Sequence, residues 1–112
     1  MRTADELEVA LDYFNNLIHQ NPQDATALTN LAWVYERAGD YNQAIEYFQR
    51  ALGLEQDNID TNYGLGLALM GNNQPEQARA AFSRAAELAQ KSDDHALLVT
   101  VLRQVEAHSD RI

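Results

Sequence analysis

The 112 residues are 46% hydrophobic, which supports one small domain with a core and is unlike the composition of a disordered segment. Seventeen Asp and Glu against eight Lys and Arg give a formal charge of -9. That sign excludes a basic footprint for nucleic acid and disfavours an anionic membrane surface, and the lack of cysteine excludes disulfides, thiolate metal sites and a cysteine nucleophile.

The chain opens with "MRTADELEVALDYF", which is no signal peptide, and no apolar run approaches a membrane span. A soluble cytoplasmic protein with no membrane insertion is expected. Thr3 and Glu6 have the spacing of a capping box for a helix over 3–20. This helix carries Leu7, Val9, Ala10, Leu11, Tyr13, Phe14, Leu17 and Ile18, apolar on more than one face. "HQNPQD" then supplies a stop, Pro22 and a new cap, Asp24. Leu28, Leu31, Ala32 and Tyr35 form a helical stripe over 25–38. Gly39 suits the left-handed helix end, and Asp40 with Gln43 opens a helix over 41–54 striped by Ala44, Ile45, Phe48, Ala51 and Leu52. After the loop "EQDNID" a helix over 59–71 follows. Pro75 sits where a first helical turn needs no amide donor, so the next helix runs over 75–90. "QKSDD" is a loop, and Leu98, Val101, Leu102 and Val105 mark a last helix over 94–108. Nothing reads as a strand, and the short connections make neighbouring helices antiparallel.

The chain repeats itself at about 34 residues, a period known for helical repeats. Ala44, Phe48, Ala51 and Leu54 fall on Ala78, Phe82, Ala85 and Leu88, and Leu31 and Ala32 fall on Leu65 and Gly66. Shifted the other way, Ala44, Ile45, Phe48 and Leu52 fall on Ala10, Leu11, Phe14 and Ile18. These residues resemble the tetratricopeptide repeat (TPR), a helix pair with small residues at close crossings and a Phe beside them. Asn62 departs from the pattern where a large apolar residue is usual, and Tyr63 beside it is a candidate to turn inward instead. The resemblance implies an all-α fold: a right-handed superhelical α-solenoid of antiparallel helix pairs, about six helices in one domain over 1–112. Residues 3–24 would be the second helix of a partial repeat, 25–58 and 59–92 full repeats, and 93–108 a C-terminal capping helix.

The resemblance further implies a protein–protein interaction module, a scaffold, adaptor or assembly factor, with a concave groove lined by the first helix of each pair. Carried over by register, the groove residues are Thr29, Asn30, Trp33, Glu36, Arg37, Asp60, Tyr63, Leu67, Met70 and Arg103, with Thr26, Val99 and Thr100 beside them. Trp33, Tyr63, Leu67 and Met70 lie off the packing stripe, and aromatic anchors are typical hot spots. The implied partner is another protein, presented as a peptide or amphipathic helix with apolar and some basic residues. The alternative is a structural role in which the apolar first helix, through Leu7, Leu11 and Ile18, builds a homo-oligomer or docks within a longer chain. No cofactor, metal or catalytic residue is expected. His19, His95 and His108 are scattered, Ser83 has no nucleophile-elbow context, and "GLGLALMG" carries Leu69 where a dinucleotide fingerprint needs Gly.

Overall fold

The computed structural model describes residues 3–92 and 95–109, with side chains from Glu6 to Ser92 and from Ala96 to Glu106. Six helices follow one another: α1 (Thr3–Gln20), α2 (Ala25–Ala38), α3 (Tyr41–Leu54), α4 (Ile59–Gly71), α5 (Pro75–Lys91) and α6 (His95–Ser109). There is no strand among the described residues. Each helix packs on the next, and α2 also meets α4, so the helices stack as a short solenoid of 37 × 27 × 23 Å.

Local chemistry explains where the helices begin and end. Asp24, Asp40 and Asn58 each accept a hydrogen bond from the backbone N–H three residues on, at 3.0, 3.3 and 3.0 Å, satisfying donors that a helix start leaves open. Gly39 closes α2 with φ +83°, the left-handed conformation in which a Cβ is costly. The turn from α4 to α5 uses Asn73 at φ 63°, a residue type that tolerates this region. Pro75 stands in the first turn of α5 behind Gln74, which makes no side-chain cap. The Thr3 side chain, half of the expected first capping box, lies outside the described side chains.

Packing follows the repeated Ala and Phe residues. Ala44, Phe48, Ala78, Phe82 and Ala85 are fully buried. A Cβ built on Gly64 would come within 2.4 Å of the Phe48 ring, and one on Gly66 within 2.5 Å of the Phe82 ring. The two aromatics thus occupy space that only glycine leaves open. Asn62 stays inward, contrary to the expectation that Tyr63 would replace it. Its amide donates to the backbone carbonyls of Gln56 and Asn58 at 3.2 and 2.9 Å, so the buried polar group is satisfied.

Phe82→Ala should cost about 3–5 kcal/mol of stability in urea unfolding, because it empties a buried aromatic site. Gly66→Ala should destabilise the wild type by overpacking against this ring. In the Phe82→Ala background the same change should instead stabilise by about 1 kcal/mol, the helix preference of Ala over Gly. This reversal of sign is the readout of the contact.

Candidate functional site

A cleft of about 770 Å³ opens between α1, α2, α4 and the start of α6. Asn30, Trp33, Val34 and Arg37 line it from one face of α2, at the i, i+3, i+4, i+7 spacing that a helix brings to a single side. Asp60 and Tyr63 come from the first turns of α4, and Leu97 from α6. The opposing wall is α1, with Glu6, Leu7, Ala10 and Phe14.

The two aromatics of the cleft are held by the core behind them. Trp33 meets Phe48 edge-on, with centroids 5.4 Å apart and an interplanar angle of 88°. A Cβ on Gly64 would lie 2.9 Å from the indole, so the indole is seated against bare helix backbone. Its Nε1–H donates to Asp60 Oδ2 at 2.9 Å. This bond joins α2 to α4 and fixes the ring's orientation, and the start of α4 favours the carboxylate electrostatically. Tyr63 leans on Phe82 at 5.7 Å and remains half-buried. Charges on the lining are Glu6 and Asp60 against Arg37. Next to Arg37, burial pushes the Glu36 carboxyl above the usual carboxylate range, and Arg37 opposes part of that shift.

The structure gathers Asn30, Trp33, Arg37, Asp60 and Tyr63 of the expected groove residues in this cleft. The others lie elsewhere. Thr29 is buried, its hydroxyl 2.9 Å from that of Thr61 at the α2–α4 crossing, so it does not present a surface. Glu36 is half-buried outside the lining. Leu67 and Met70 are half-buried and pack toward the core formed by α4, α5 and α6. Arg103 is exposed on α6, outside the lining.

Of Leu7, Leu11 and Ile18, the residues expected to carry self-association, Leu11 and Ile18 are instead used inside the stack. Ile18 is 9% exposed, and with Leu11, Phe14 and Leu17 it packs onto Leu28, Leu31 and Ala51. Leu7 turns to the cleft instead, and the apolar residues that α1 exposes most are Val9 and Tyr13. Sequence reasoning missed Glu6, Ala10, Phe14, Val34 and Leu97 in the lining. The repeat register assigns Ala10 and Phe14 to a packing face, so it gave no signal that they would line a cleft.

Comparison with known proteins fixes the family. A sequence profile of the tetratricopeptide repeat matches residues 35–102, and a second profile of the same repeat matches residues 3–56. The chain belongs to the tetratricopeptide repeat family. Among relatives of this TPR chain, RNA polymerase-associated protein CTR9 of Caenorhabditis elegans is 28% identical over 78% of the chain, which spans only 8% of that protein's length. PcrH, solved in complex with the chaperone binding region of PopD, superposes with a TM-score of 0.89 over 96% of this chain and 82% of its own, at 19% identity. The TPR2B domain of yeast Sti1, solved as a pHsp70 complex, gives 0.89 over 98% of this chain and 88% of its own, at 14% identity. At such identities these structures speak for the TPR fold. No described helix is long and apolar enough to cross a membrane.

Because burial raises the Glu36 carboxyl, this residue favours folding most below the ordinary carboxylate pKa, and that contribution is lost as pH rises through the elevated value. Glu36→Gln should therefore raise Tm at neutral pH relative to wild type. The difference should disappear below about pH 4, where both side chains are neutral. Thermal melts across this range check it.

Proposed function

We propose that this chain is a protein-interaction module that receives a peptide or amphipathic helix of another protein in the cleft between α1, α2 and α4. One observation carries the reading: Trp33 and Tyr63 are braced from behind by Phe48 and Phe82 while lining the same cleft. Rigid aromatics of this kind bind at little entropic cost and are frequent hot spots. Leu7, Ala10, Phe14 and Val34 add apolar wall, so the ligand carries apolar anchors at helical or alternate spacing. Glu6 and Asp60 outnumber Arg37 on the lining, so a ligand with some basic residues fits better than an acidic one. The complexes seen for PcrH and for the Sti1 domain support the reading by analogy of fold. Affinity is expected on the order of micromolar.

Peptides selected from a displayed random library against the wild-type protein provide a direct test. Trp33 is the only tryptophan, so binding in the cleft should shift its emission. Tyr63→Ala and Leu7→Glu should each weaken the selected peptides at least about tenfold, a loss of roughly 1.4 kcal/mol. Peptides that leave Trp33 emission unchanged and bind both variants as well as wild type would place recognition elsewhere.

A further inference from the structure

A second groove, of about 760 Å³, lies at the opposite end of the stack between α5 and α6. Its apolar side is Leu98, Leu102 and Val105 of α6, and its polar rim includes Ser83, Arg84 and Glu87 of α5. Allowing two extra residues before α6, the repeat register puts Leu98 and Leu102 where α2 has Leu28 and Ala32. Those two residues are 1% and 0% exposed, because α3 and its neighbours cover them, whereas Leu102 is 44% exposed. The α5–α6 groove is therefore the place where a second-type helix would sit in a continuing stack.

α1 has the matching character. Ala10, Tyr13 and Phe14 occupy the positions of Ala44, Tyr47 and Phe48, one period earlier. Ala44 and Phe48 are fully buried, while Ala10 and Phe14 are half-buried and line the first cleft. Tyr47 stacks on Tyr35 with centroids 5.7 Å apart, and Tyr13 is 59% exposed. Position Tyr35 corresponds to Val105 in α6, so a docked Tyr13 would lie over Val105 as Tyr47 lies over Tyr35. On the groove rim Arg84 is paired with Asp57 at 2.7 Å and with Glu87 at 3.0 Å, so the joint rests on apolar fit rather than on charge.

We propose that α1 of one copy of this chain docks into the α5–α6 groove of a second copy, so that α6 and the incoming α1 together form one composite repeat. The contact is heterologous, head to tail, and each addition leaves a free end of each kind. Leu102 is bulkier than Ala32 or Gly66, so the incoming helix stands farther from α6 than α3 does from α2, and the association is reversible. The joint covers Leu7, Ala10 and Phe14, so a second copy and a cleft ligand compete for the α1 wall. The joint rests on the register and the exposed residues, independently of the cleft's ligand.

Sedimentation equilibrium of the 112-residue chain tests this. The average mass should rise above 12.6 kDa with protein concentration up to about 1 mM. Tyr13→Glu spoils only the docking helix and Leu102→Glu only the groove, and both replace exposed side chains, so circular dichroism should show both variants folded. Each variant alone should remain monomeric. Mixed in equal amounts they should form a dimer that grows no further, because one partner keeps an intact α1 and the other an intact groove. A monomeric wild type, or variants that stay monomeric when mixed, would overturn the proposal. Should either variant lose helicity, Tyr13→Ser and Leu102→Gln are to be read by the same mixing rule.

Discussion

The structure depends on the contact between a phenylalanine ring and a helix that offers it no Cβ. Phe48 on Gly64 and Phe82 on Gly66 set how closely consecutive helices approach. The surrounding alanines, Ala44, Ala78 and Ala85, keep the same crossings narrow. Leu31, Leu69 and Val101 then fill what is left of the interior. Both glycines lie on α4, so this helix takes a ring from α3 on one side and from α5 on the other, and the stack is built from short helices that would be marginal alone.

That contact also reaches the surface. Phe48 supports Trp33 edge-on, and Phe82 supports Tyr63. The residues that fix the architecture therefore brace the residues proposed to meet a partner. The Trp33–Asp60 hydrogen bond adds a link between successive first-type helices at the floor of the cleft, and the Thr29–Thr61 pair does so inside. An indole held by ring, backbone and carboxylate loses little freedom when a ligand arrives.

The helices were legible in the sequence because their punctuation is local. Asp24, Asp40 and Asn58 cap where a cap is needed, and Gly39 and Pro75 act through their own backbone chemistry. The structure extends the helices expected over 75–90 and 94–108 to Lys91 and Ser109, shifts of one residue. Half of the expected groove was legible as well, since Asn30, Trp33, Arg37, Asp60 and Tyr63 do meet. The rest depended on tertiary partners that no single helix announces. Thr29 is drawn inside by a hydroxyl thirty-two residues away, and Asn62 by carbonyls of the preceding loop. Leu67 and Met70 lie off the apolar stripe, yet α4 is flanked on several sides and absorbs them into its core. The α1 wall stayed hidden for the opposite reason: Ala10 and Phe14 belong to a packing pattern, and only the three-dimensional arrangement leaves them facing a cleft.

This double use of packing residues decides which substitutions report on recognition. Trp33 lines the cleft, but it also fills the space over Gly64 and ties α2 to α4, so its removal disturbs fold and surface together. Phe14 has the same ambiguity, because it packs beside Leu28 and Leu31 while lining the α1 wall. Tyr63 and Leu7 are half-buried as well, and neither makes the α2–α4 hydrogen bond that Trp33 makes to Asp60. A loss of binding at these two positions with helicity intact separates recognition from stability, which a loss at Trp33 alone does not. In a stack whose α4 is gripped by a ring on either side, partner choice is carried by residues that stand beside those rings and lean on them.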